Sequence, residues 1–177
     1  MGTLAYRAMG AALLDHAMYE GIEADRSATG QAMTVVVLSS LAAGLGAGGL
    51  EGPTLTLLVA FTLLALATWI AWAVLILEVG GRHLRQRETR VDLGELLRTV
   101  GFAASPGVLQ VFGLIPEVRT FVFAASWLWM FAAMVVAVRH ALDLTSLGRA
   151  MFVCAVALVV VLGTALVVGL AVQKVVV

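Results

Sequence analysis

Charge is scarce in this sequence. Only 12% of the residues are Asp, Glu, Lys or Arg, against about 25% in soluble domains. Those present cancel, 11 basic against 11 acidic, which argues against nucleic acid as a partner. One cysteine, Cys154, excludes a disulfide within the chain. It lies in a long apolar run, where a buried, inert thiol is expected. The three histidines, His16, His83 and His140, are scattered and share no ligand spacing with each other or with the cysteine, so no metal site is expected. Ser39, Ser40, Ser105 and Ser126 fall in apolar runs with no base at similar depth, so no catalytic residue is expected. The glycines Gly44, Gly46, Gly48 and Gly49 are not followed by the Lys and Ser/Thr of a phosphate loop. No cofactor is implied. Nor is a cleavable leader, because the first apolar run begins near Ala32, behind an acidic helix-like stretch.

Apolar residues, by contrast, make up 62% of the chain, and the mean hydropathy is +1.03. They collect in five runs, near 32–50, 55–79, 97–115, 121–138 and 150–172. A bilayer core needs about 20 apolar residues per helix. An ionisable group at its centre costs about 2.5–3.5 kcal/mol. None of the five carries one near its middle, and four meet the length criterion readily. The third is weaker. Pro106 leaves the carbonyl of Phe102 without its helical donor and should kink or break the helix. Such a segment should pack inside the bundle, or turn back within the membrane. Gln110, beside the break, is expected to satisfy the freed backbone or to line a small polar cavity.

Arginine placement favours a spanning third run. With a cytoplasmic N-terminus and five spans, Arg7, Arg26, Arg82, Arg85, Arg87, Arg90, Arg98, Arg139 and Arg149 lie inside, and only Arg119 and Lys174 outside. The chain is therefore expected to be all-α: a polytopic membrane bundle of about five transmembrane helices (residues 31–177), preceded by a cytoplasmic or interfacial helical segment (residues 1–30).

Within that segment, Tyr6 to Ala24 has the pattern of one helix, with Leu14, Met18 and Ile22 on one face. Asp25 could cap a further helix from Arg26. The segment is expected to lie on the membrane or fold under the bundle, or else to offer a docking face. Between the last two runs, Arg139 and Asp143 could pair if helical. With Arg149, they could hold the acidic N-terminal residues Glu20, Glu23 and Asp25 against the bundle. Small residues four apart (Gly44 and Gly48, Ala67 and Ala71, Ala165 and Gly169) allow close helix approach and homo-oligomer contacts.

Several stretches together resemble the Yip family of Ypt-interacting membrane proteins, in its bacterial branch. They include Leu14-Asp15, Tyr19-Glu20-Gly21-Ile22-Glu23-Ala24-Asp25, Gly101-Phe102-Ala103, Pro106-Gly107-Val108-Leu109, Val138-Arg139-His140-Ala141-Leu142-Asp143 and Gly148-Arg149-Ala150. The resemblance implies a five-span bundle with a cytoplasmic N-terminus. Eukaryotic relatives bind small prenylated GTPases through a long N-terminal region and an Asp-Leu-Tyr-Gly-Pro-like motif. Here that region has only about thirty residues and the motif is missing, so small GTPase binding is not implied. The expected role is non-enzymatic: binding other membrane proteins or organising lipid in the cell (plasma or inner) membrane. A small transporter, channel or lipid mover built on the broken third run is the alternative.

Overall fold

A computed structural model describes residues 3–48, 52–82 and 92–176, with side chains for all of these except 61, 81, 82, 162 and 164–176. The regular structure among them is helical. Helices α1 (Leu4–Ala12) and α2 (His16–Ala24) precede α3 (Ala28–Gly48) and α4 (Leu55–Ile76). The end of α4 widens into a π turn, Leu77–Arg82. Then come α5 (Leu93–Phe102), a 3₁₀ segment (Ser105–Leu114), α6 (Arg119–Ala141) and α7 (Leu147–Val176). The expected linker arginines Arg85, Arg87 and Arg90, with His83, lie outside the described residues.

Among the described residues, three helices are long and apolar enough to cross a membrane: Ala28–Gly48, Leu55–Gly80 and Arg119–Ala141. Leu147–Val161 is a shorter apolar stretch. Their outward faces carry large apolar side chains. Leu64, Phe121, Leu128 and Val159 are each at least 62% exposed. A surface built this way suits hydrocarbon as solvent and would aggregate in water. The interior is made of smaller or interlocking side chains. One cluster joins Ile76, Leu96, Val138 and Val153, with Cys154 buried among them. A second joins Tyr19, Ile22, Ala32, Phe102 and Ala133, so the N-terminal helices share a core with the bundle.

The expected single helix Tyr6–Ala24 is instead two. Leu14 takes a left-handed backbone, φ 61°. Asp15 then starts α2 afresh, its carboxylate accepting from the amides of Ala17 and Met18 at 2.9 and 3.3 Å. An N-cap of this kind satisfies amides that a continuous helix would have bonded to the preceding turn. The segment 1–30 also has no clean boundary with the bundle, because α3 begins at Ala28.

The third run breaks where Pro106 requires it. α5 ends at Phe102, and the chain tightens into the 3₁₀ segment. Hydroxyls close the gap: Ser105 Oγ donates to the Phe102 carbonyl at 2.6 Å, and Ser39 Oγ on α3 donates to the Ala104 carbonyl at 2.8 Å. Gln110 therefore does not satisfy Phe102; Ser105, nearer in sequence, already does. The broken run follows α3 in the same direction. Gly101 lies against Ala32, Gly107 against Ser39, and the Gln110 carbonyl against Gly46. From Ala32 to Gly46, α3 rises about 21 Å. The broken run thus accompanies α3 through most of its length. Pro106, Gly107, Gln110 and Gly113 face inward, while Val108, Leu109 and Phe112 are exposed.

Candidate functional site

The polar residues of interest gather where α2 meets the start of α5 and the end of α6. Tyr19 is fully buried there. Its hydroxyl reaches the carbonyls of Ala11 (3.1 Å) and Ala133 (3.3 Å), linking α1, α2 and α6. Burial alone pushes the phenol well above its usual range. Its ring lies parallel to that of His140, 8° between planes and 6.1 Å between centroids. His140 Nε2 in turn sits 2.6 Å from Nδ1 of His16. One imidazole must donate and the other accept, so the pair needs one unprotonated nitrogen at the contact.

Arg98 fastens α2 from the other side. It is buried on α5, and its Nε and Nη2 both donate to the Glu23 carbonyl, at 3.1 and 2.5 Å. Arg7, buried on α1, pairs with Asp25 at 2.5 Å and donates to Gln31 Oε1 at 3.3 Å. Asp25 also accepts from the Ser27 hydroxyl and amide. The Ser27 hydroxyl first, and then Arg7, hold the Asp25 carboxyl far below the usual carboxylate range. Asp25 ends α2 and organises the turn into α3, which starts at Ala28 and not at Arg26.

Between these clasps lies a cavity of about 250 Å³ lined by Glu20, Glu23, Ala24, Glu95, His140 and Asp143. Glu23 is half-buried in it and is pushed up to about 7. Loss of water is the main cause, reinforced by Glu95, Asp143 and Glu20 and opposed by Arg98. Among the described residues, no group of three His, Cys, Asp or Glu side chains is arranged to hold a metal. Glu23 is placed to take up a proton near neutral pH.

The sign follows from linkage. Glu23 has its pKa raised on folding, so its contribution is most favourable below its ordinary 4.5. That contribution is lost as pH rises towards about 7, where the carboxylate ionises beside three others. Asp25 works oppositely: its stabilisation is present above 3.8 and fades as pH falls through its depressed value. Protection of residues 4–24 from hydrogen exchange, corrected for intrinsic rates, should therefore decline as pH rises through 7. In Glu23→Gln that decline should flatten; an unchanged slope would assign the effect to other groups.

The expected Arg139–Asp143 pair does not form. α6 ends at Ala141, and Asp143 adopts a left-handed backbone, φ 48°, so the two side chains lose helical spacing. Arg139 Nε donates instead to the Leu144 carbonyl, 3.3 Å away, within its own connector. Arg149 is exposed near the start of α7. The residue that holds the acidic segment is Arg98. The sequence signal for it was a lone arginine between Leu97 and Val100, on a stretch otherwise apolar. Gln110 is buried, its amide beside the Met130 sulfur at 4.0 Å, and Met130 lies about 15 Å along α6 from His140 at the cavity.

Long apolar helices with outward-facing leucine and phenylalanine define an all-helical membrane protein. The Yip1 domain family model matches residues 15–168, so the chain belongs to the Yip1 domain family. No curated protein and no solved structure matches the chain.

Proposed function

We propose that this protein is a non-enzymatic, multi-pass membrane protein that binds other membrane proteins or organises lipid. The observation that carries this reading is the internal closure of the broken run. The Phe102 and Ala104 carbonyls are taken by Ser105 and Ser39, Gly107 lies against Ser39 and Met130, and Gln110 is 3% exposed. A solute path would need such groups to face open polar space. In this reading the broken run and α7 cross the bilayer alongside α3, α4 and α6. That makes five spans with a cytoplasmic N-terminus in the cell membrane, as the arginine distribution favours. Residues 4–24 pack on the bundle through Tyr19 and Arg98.

The test uses purified full-length protein in liposomes. A binding or organising protein gives no ion or lipid flux above empty vesicles, while flux that depends on Gln110 would establish the transporter alternative. Sidedness is checked with thiol labels at Arg87→Cys and Thr145→Cys. Five spans put both on one face; labels on opposite faces would require the third run to turn back.

A further inference from the structure

The outward faces of the two N-terminal helices differ in kind. The exposed positions of α1 are Ala5, Tyr6 and Met9, and Leu13 continues them just past its end. Tyr6, Met9 and Leu13 are 59%, 61% and 69% exposed. The one charge on α1, Arg7, is turned inward against Asp25 and Gln31. On α2 the exposed positions include His16 and Glu20. A surface helix in water would not internalise its only cation and display its largest apolar side chains.

Depth gives the reason. The Ala12 carbonyl accepts from Trp129 Nε1 at 2.7 Å. On α6, Trp129 stands about 16 Å from His140, the partner of His16. α1 also packs against the 3₁₀ segment, which begins beside Ser39. From Ala28 to Ser39, α3 likewise rises about 16 Å from that end. Half of a bilayer core is about 15 Å. Two separate neighbours thus carry the end of α1 towards the midplane, while Asp25, Arg98 and Asp143 stay at one end of the bundle.

We propose that α1 is a half-membrane wedge, its Tyr6–Met9–Leu13 stripe packed against lipid acyl chains in the leaflet at the Asp25–Arg98–Asp143 end. α2 stays at the polar boundary of that leaflet. This rests on the membrane reading above. It departs from the interfacial segment that the sequence suggests, because the helix enters the hydrocarbon beside α6 and does not lie across its surface.

The full chain with Cys154→Ala is spin-labelled singly at Leu13→Cys, Met9→Cys, Ser27→Cys and Leu64→Cys, in phosphatidylcholine–phosphatidylglycerol vesicles. Collision rates with oxygen and with a water-soluble nickel chelate are then compared. Leu64, 62% exposed on α4, is the lipid reference, and exposed Ser27 the water reference. The oxygen-to-nickel ratio at Leu13 should be several-fold above that at Ser27 and close to that at Leu64, with Met9 following Leu13. A ratio at Leu13 and Met9 matching Ser27 would overturn the wedge. So would shielding from both reagents, which would mean that protein or a second copy covers the stripe. A low ratio at Leu64 itself would instead sink the membrane reading.

Discussion

Replacing Arg98 by alanine should release α1 and α2 from the bundle while leaving α3 to α7 assembled. The guanidinium, 4% exposed, makes two charge-assisted bonds to one carbonyl at a part-buried site. Hydrogen bonds to charged groups contribute about 1.5–3 kcal/mol each, and a buried carbonyl left bare adds its own cost. Two donors on one acceptor do not sum, so a loss of about 2–3 kcal/mol is expected. That raises the detached population roughly thirty- to a hundred-and-fiftyfold. Loss of Arg98 also removes a cation that lowers Glu23, so the four carboxylates around the cavity repel more strongly. Limited proteolysis should then cut near the Leu13–Asp15 turn far sooner than in the parent protein. Arg139→Ala is the contrasting variant. Its bond joins the end of α6 to Leu144 in the following connector and is worth about 1 kcal/mol, so the N-terminal helices should remain protected. Equal cleavage in both variants would show that Arg98 is not the fastening.

Gly46→Leu should be the most damaging single change in the bundle. A Cβ there would run into the backbone carbonyl of Gln110, with Phe123 close behind. Overpacking usually costs about 1–3 kcal/mol when side chains can shift. Here the obstacle is main chain, so the whole 3₁₀ segment must leave α3 and the Ser39–Ala104 bond must stretch. Gly30→Leu supplies the comparison. Nothing lies within 4 Å of a Cβ at Gly30, and leaving glycine there favours the helix by up to about 1 kcal/mol. Buried Cys154 reports the outcome through its reactivity with a thiol reagent as temperature rises. Gly46→Leu should expose it at a markedly lower temperature than the parent, and Gly30→Leu at the same temperature or higher. Similar shifts in the two would mean that α3 and the 3₁₀ segment are not in close register.

The positions of the long helices were legible because hydrocarbon selects for them directly. Runs near 32–50, 55–79 and 121–138 correspond to α3, α4 and α6 within a few residues. The break at Pro106 was legible for an equally local reason, since a missing amide acts on one known carbonyl. Which group would repair it was not. Gln110 looked suited by polarity, but Ser105 is three residues from Phe102 and reaches it without any tertiary contact. Arg98 was hidden because its partner is a backbone carbonyl, which carries no residue signature. The Arg139–Asp143 spacing misled because it assumed a helix that stops at Ala141. Gly46 was passed over in favour of the Gly44–Gly48 pair, whose neighbours are Leu58 and Pro53. The close approach of the 3₁₀ segment depends on the unusual rise of that segment, and four-residue spacing does not encode it.

The same-direction course of α3 and the Pro106-broken run bears on how the protein is made. Parallel neighbours cannot be joined by a short turn, so α4 and the 77–92 connector must be synthesised between them. When Ala104 emerges, the hydroxyl of Ser39 has already been translated and seated. The broken run is therefore built against an α3 that already exists, and a version lacking α3 would leave the Ala104 carbonyl without its Ser39 donor.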